Sequence, residues 1–206
     1  MKIAIIGATG NVGTKLVAEA LSRGHQVTAI ARDCSKLSTQ GGGLVAKNGD
    51  VNVPVELSAI LAGHDVVISS VRFEQLSYDR LIAAVRGAHL KRLLVVGGAG
   101  SLEVAPGVTL VESPEFPAAY KPEALAGGKV LENLRKEEGL DWTFLSPSAM
   151  FLPDGRTGKF RLGKDALLSN SKGESQVTMA DFAIAMLDEA EHPKHVKQRF
   201  TVVDAT

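Results

Sequence analysis

The sequence predicts an α/β fold, a doubly wound and mostly parallel sheet with helices on both faces, and three observations support this. Short apolar runs of strand length alternate with segments of helical period along most of the chain. The runs are nearly continuous in apolar residues, as strands covered on both faces require. A glycine-rich turn falls directly between the first run and the first helical segment.

The elements follow in order. Strand one is Ile3 to Ile6; Val12, Leu16, Val17, Ala20 and Leu21 then recur at helical spacing, and Gly24 supplies a stop. Strand two runs from Gln26 to Ala31 and strand three from Leu44 to Lys47. Pro54 to Ala62 reads as a short helix and Val66 to Ser70 as strand four. A helix over Ser77 to His89 leads to strand five at Leu93 to Val96, and a helix from Pro122 to Glu138 leads to strand six at Trp142 to Leu145. Thr178 and Asp181 have capping-box spacing at the head of a last helix, and Phe200 to Val203 closes the sheet. Residues 97–121 and 151–177 stand outside the alternation. Both follow strand carboxyl ends, where open α/β sheets bind ligands, so they are expected to form a substrate pocket and a small C-terminal lid; tolerated surface insertion is the alternative for the second.

The 206 residues suit one domain, 1–206, and 45% hydrophobic against 22% charged residues is the balance of an ordinary globular protein. Twenty-three basic and 23 acidic side chains cancel, which leaves no global field to draw the chain onto nucleic acid or an anionic membrane. A single cysteine, Cys34, excludes an internal disulfide and any multi-cysteine metal site, and the five histidines show no metal spacing. The opening apolar run breaks at Gly7, too soon for a signal peptide, and no run reaches the ~20 residues of a membrane span. A cytoplasmic protein is expected.

Gly7-Ala8-Thr9-Gly10-Asn11-Val12-Gly13 lies between strand one and the first helix. Glycines there permit a tight turn, close approach of a pyrophosphate, and close helix packing, while free helix amides and the macrodipole favour an anion. The turn predicts a Rossmann-type dinucleotide site. At the end of strand two stands Ala31-Arg32-Asp33-Cys34-Ser35-Lys36. The Arg32 fork is placed to meet a ribose 2′-phosphate, with a hydroxyl from Ser35 and a second charge from Lys36, so NADP(H) is favoured; Asp33 keeps NAD(H) open.

These residues, with Gly49-Asp50-Val51 after strand three, resemble the atypical short-chain dehydrogenase/reductase group with NAD(P)H-binding, NmrA-like domains. Segments such as Ser146-Pro147-Ser148-Ala149-Met150-Phe151 and Arg156-Thr157-Gly158-Lys159 are similar to small NADH-flavin reductases and extend the likeness over almost the whole chain. The cofactor motifs are also similar to those of biliverdin-IXβ/flavin reductase. The resemblance implies that Thr9, Gly10, Asn11 and Val12 contact the cofactor phosphates, Arg32, Ser35 and Lys36 the 2′-phosphate, and Asp50 and Val51 the adenine. Ser70, Val71 and Arg72 after strand four, Pro147 after strand six, and Lys129 at the nicotinamide ribose complete the expected cofactor set.

The chain also departs from that group. Alcohol-acting members use a Tyr and a Lys one helical turn apart, so that the ammonium lowers the phenol pKa. Here Tyr120 is nine residues before Lys129, and Leu125 occupies the position four before it. Gly97-Gly98-Ala99-Gly100-Ser101 replaces the catalytic serine after strand five, and Ser148 stands where biliverdin reductase has a histidine. Tyr120 and Lys129 remain the candidate catalytic residues. Gly98, Ala99, Gly100, Ser101, Tyr120, Ser148, Met150 and Phe151 are the expected acceptor contacts, with Gly97, Gly98 and Gly100 leaving room for a flat ring. The expected activity is hydride transfer from NADPH to a flavin or quinone-like acceptor, the flavin being substrate rather than prosthetic group. Alternatives are a non-catalytic NADP(H) sensor and a carbonyl reductase or sugar epimerase. No metal is expected, and the protein is expected to work as a monomer or weak homodimer.

Overall fold

The computed structural model describes residues 1–35, 37 and 42–205; the expectation for Lys36 therefore lies outside the described residues. Its central sheet is built from β1 (Lys2–Ile6), β2 (Gln26–Ala31), β3 (Leu44–Asn48), β4 (Val66–Ser69), β5 (Arg92–Val96), β8 (Asp141–Ser146), β10 (Phe160–Gly163) and β12 (Gln198–Asp204), in the order β10-β12-β8-β5-β4-β1-β2-β3. Every neighbouring pair is parallel except β10–β12. The chain winds outward from β1 to β3, then returns to β4 on the other side of β1. That reversal opens a crevice at the carboxyl ends of β1 and β4.

Side chains alternate across the sheet and fill two separate cores. Ile3, Ile5, Val66, Ile68, Leu94 and Phe200 face α1 (Asn11–Ser22) and α5 (Met179–Glu191), which supply Leu16, Ala20, Phe182 and Met186. Ala4, Ile6, Val67, Leu93, Val95 and Phe144 face α2 (Pro54–Leu61), α3 (Tyr78–Gly87) and α4 (Lys121–Arg135), which supply Leu57, Leu81, Val130 and Leu131. A strand with both faces buried reads as an unbroken apolar run, which is why the central strands were visible in the sequence. The expected elements are all present, with ends shifted by a few residues: the helix expected to reach Glu138 stops at Arg135, and the closing strand extends to Gln198 and Asp204.

The two unassigned stretches contain strands the alternation did not show. β6 (Glu103–Ala105) and β7 (Val108–Thr109) form a small hairpin, and β9 (Met150–Leu152) pairs in parallel with β11 (Gln176–Thr178). Residues 151–177 thus leave and re-enter the body side by side, and between these points β10 adds an edge to the sheet. The segment is tied down at several points. Arg156 pairs with Glu19, Asp165 with Arg135 and Arg199, and the buried Asp181 carboxylate accepts from the amides of Thr157 and Gly158 and from the Thr157 hydroxyl. The Thr178 hydroxyl caps α5 by accepting from the Asp181 amide at 3.0 Å. Among the described residues no helix is long and apolar enough to cross a membrane.

Candidate functional site

A cleft opens at the switch point, lined by Gly7, Thr9, Gly10, Arg32, Asp50, Val51, Ser70, Val71 and Arg72, together with Ile6, Ala31, Gly49, Asn52 and Gln75. The first nine belong to the expected cofactor set and come from four separate loops, which the fold brings together.

The glycine turn makes one wall. Gly7 has φ +81, and a Cβ there would stand 2.4 Å from the Ser70 carbonyl oxygen, so β1 and β4 can adjoin only with glycine at this point. A Cβ on Gly13 would lie 2.1 Å from the Gly7 carbonyl oxygen; this glycine lets α1 press onto the turn. Gly10 differs. Its Cβ position has only the Gly7 carbonyl oxygen nearby, at 3.4 Å, and otherwise faces open cleft. The Gly7 and Ala8 amides donate to Ile30, and Gly10 donates back to Gly7, which fixes the turn. The amides of Asn11, Val12 and Gly13, the first of α1, have no acceptor among the described residues, and no acidic side chain lies in that turn. A helix start with free amides and no compensating carboxylate suits a pyrophosphate. The cradle fits the dinucleotide the sequence called for.

The opposite end of the cleft is cationic. Arg32 is exposed at the end of β2 and donates from Nη2 to Gln75 Oε1 at 3.3 Å. Asp33 is exposed beside it, its Oδ1 accepting from the Ser35 amide at 2.8 Å; that bond holds its carboxyl below the usual range. Arg72 extends into solvent and pairs with Glu74 at 3.0 Å.

The acceptor side corrects several expectations. Gly97 and Gly100 leave no room for a ring: Cβ atoms there would lie 2.3 Å from the Phe144 ring and 2.7 Å from the Ala124 Cβ. Both glycines exist for packing. Gly98 alone of the three is open, with the Phe73 ring edge nearest at 3.7 Å. The Ser148 hydroxyl is buried and donates to the Val202 carbonyl at 2.8 Å, and Phe151 packs on Phe182 with ring centroids 4.9 Å apart, so both serve the core. Ser101 lies beside the Arg199 guanidinium at 3.4 Å, Pro147 is buried, and Ala99 is half-buried. Met150 is exposed. Tyr120 is 66% exposed in a short turn before α4. Lys129 points to solvent and pairs with Glu132 at 3.1 Å, both side chains more than half exposed, rather than turning toward the sheet edge. Tyr120 and Lys129 form no pair. Among the described residues no group of three or more histidine, cysteine or acidic side chains could hold a metal.

Two residues that no motif announced organise this region. The Glu123 carboxylate of α4 accepts from the amides of Phe73 at 2.7 Å and Glu74 at 3.1 Å, pinning the turn after β4. The Phe73 ring lies against Gly127, where a Cβ would approach within 2.8 Å, and stacks on Phe144 at 6.0 Å. These contacts join residues about fifty to seventy apart in sequence, beyond the reach of local spacing.

The comparisons with known proteins agree with this geometry. The model of the family described as NAD(P)H-binding matches residues 7–193. The YwnB protein of Bacillus subtilis is 43% identical, the alignment covering 98% of each chain. A structure from Bacteroides thetaiotaomicron, named a "putative epimerase", is 41% identical with TM-score 0.95 and covers 100% of this chain and 97% of its own. Another from Streptococcus pneumoniae, named a "putative NADH-flavin reductase", is 35% identical with TM-score 0.85, covering 99% of both chains. The fold is that of Rossmann-type NAD(P)-binding, oxidoreductase-like proteins, and the chain belongs to the NAD(P)H-binding family.

Proposed function

We propose that this protein is an NADPH-dependent reductase that passes a hydride to a flavin or quinone-like small molecule. The observation that carries this reading is the pairing of a built dinucleotide cradle, ending at Arg32, with an acceptor side that offers an open backbone at Gly98 and no Tyr–Lys pair. A 35% identical protein named a "putative NADH-flavin reductase" supports it; a 41% identical one is named a "putative epimerase", and the missing phenol–ammonium pair speaks against that activity here.

The chain's own contribution would be binding and orientation. The amides of Asn11, Val12 and Gly13 would hold the pyrophosphate, the Arg32 fork the 2′-phosphate, and Asp50 and Val51 the adenine pocket. Bound there, the cofactor would supply the hydride. Gly98 would let a flat acceptor reach the backbone, with Phe73 behind it excluding water. An isoalloxazine or quinone needs little help with protonation, so Tyr120 could stay in solvent. We further propose cytoplasmic action on a small-molecule acceptor, without nucleic acid or membrane, as a monomer or weak homodimer.

The test is an NADPH-oxidation screen against FMN, FAD, riboflavin, quinones and small carbonyls. Turnover of flavins or quinones above background is the expected result. Turnover of carbonyls alone overturns it. No turnover, with NADP⁺ and NADPH binding at clearly different affinities, makes the protein a sensor, since only differential affinity can drive a switch.

A further inference from the structure

We propose that Gln75, on the turn after β4, determines specificity for the 2′-phosphate by holding the Arg32 fork across the cleft from the glycine cradle. This deepens the NADPH reading above and rests on it. Gln75 lies 43 residues from Arg32 in sequence and belongs to no motif.

Three contacts fix this turn as a platform. Glu123 binds its two leading amides, the Phe73 ring is wedged against Gly127, and the Gln75 carbonyl accepts from Asn52 Nδ2 at 3.1 Å. Asn52 is itself held, its carbonyl accepting from Arg80 Nη1 at 2.9 Å and its amide donating to Asp50. The turn that carries Gln75 is therefore held by α4 at its two leading residues and by Asn52 at the Gln75 carbonyl. Its side chain projects into that cleft, and Oε1 accepts from Arg32 Nη2 at 3.3 Å. A carboxamide suits this position: Oε1 orients the guanidinium without neutralising it, and Nε2 keeps two donors for a phosphate oxygen. Long exposed arginines sample many rotamers, and each one fixed in advance is ordering that the ligand need not supply.

The chemistry singles out one substitution. Gln75→Glu keeps shape and reach but places a carboxylate against Arg32, which then pairs internally and repels a dianionic phosphate. Affinities of purified wild type, Gln75→Glu and Gln75→Leu for adenosine 2′,5′-bisphosphate and for adenosine 5′-monophosphate, which differ by the 2′-phosphate alone, measured by calorimetry, give the readout, with a thermal melt confirming that each variant folds.

Wild type should prefer the 2′-phosphorylated ligand; Gln75→Glu should lose it by about tenfold or more with adenosine 5′-monophosphate within about threefold, and Gln75→Leu should fall between. Unchanged affinities, or equal losses for both ligands, would overturn the role of Gln75 while leaving the NADPH reading intact. A wild type that binds both ligands equally would overturn the NADPH reading instead, and this inference with it.

Discussion

Gly10 and Gly13 are three residues apart in one turn, and the structure separates their roles sharply enough to test. At Gly13 an added Cβ would stand 2.1 Å from the Gly7 carbonyl oxygen and 2.9 Å from the Ala8 Cα, both backbone atoms that no rotamer change can move. Overpacking of this kind costs roughly 3 kcal/mol, from which about 1 kcal/mol of improved helix propensity is recovered, leaving a net loss of about 2 kcal/mol. For a chain of this size that lowers the melting temperature by roughly 4–8 °C. At Gly10 the nearest atom is the Gly7 carbonyl oxygen at 3.4 Å, an ordinary contact, and the methyl projects into the cleft. Gly10→Ala should therefore melt within about 2 °C of wild type yet bind NADPH at least tenfold more weakly, since the methyl occupies the approach of the pyrophosphate. Differential scanning fluorimetry without ligand and calorimetric titration with NADPH give the two numbers. If Gly10→Ala binds NADPH normally, the pyrophosphate does not cross this turn; if Gly13→Ala melts like wild type, the packing argument for the turn is wrong.

Three further outcomes follow from other parts of the molecule. Arg32→Ala should weaken NADPH by about 1.5 kcal/mol, the low end for a charge-assisted bond because the side chain is exposed, with NADH nearly unaffected; equal weakening of both cofactors would refute the 2′-phosphate role. Tyr120→Phe should leave flavin or quinone reduction within about tenfold of wild type, whereas Gly98→Leu, whose Cβ fits beside Phe73, should block the acceptor and spare NADPH; a loss of ~10³-fold in kcat for Tyr120→Phe would reveal a general acid and a carbonyl substrate. Asp204 is buried, its Oδ1 has no partner among the described residues, and its burial, then the nearby Asp181 charge, push its carboxyl above the ordinary value. A raised carboxylate destabilises the fold at neutral pH and ceases to do so as pH falls below its ordinary range, so Asp204→Asn should raise the melting temperature at pH 7 more than at pH 4. An equal effect at both pH values would remove the charge from the explanation.

What was legible in the sequence was what short range decides. The central strands are buried on both faces and so read as apolar runs, and the glycine turn shows as a pattern within seven residues, Gly7 to Gly13, although the steric reason for glycine at position 7 lies at Ser70. Strand β10 was not legible, because four residues that follow Gly158 and end in Gly163, with Arg161 exposed, carry no period to detect. The acceptor side was misread at Gly97 and Gly100 for a related reason. A glycine that admits a ligand and a glycine that admits Phe144 or Ala124 look alike until the partner is known. Glu123, Phe73 and Gln75 each act through a contact that sequence spacing does not encode. Asn52, by contrast, could have been inferred from the Asp50-Val51-Asn52 turn, in which the Asp50 side chain accepts from the amide two residues on.

The reversed direction of β10 bears on how copies of this protein meet. A parallel sheet that ended at β12 would present a seven-residue ladder of unpaired donors and acceptors, long enough to template a foreign strand. β10 covers residues Thr201 to Asp204 of that ladder, and the new border it creates is only four residues long, ending at Gly163 and guarded by Arg161, whose guanidinium donates to the Ser169 carbonyl. The stretch that reads as a lid in the sequence thus also acts as a hem on the sheet, and shortening it should show first as edge-to-edge aggregation during expression, before any change in turnover.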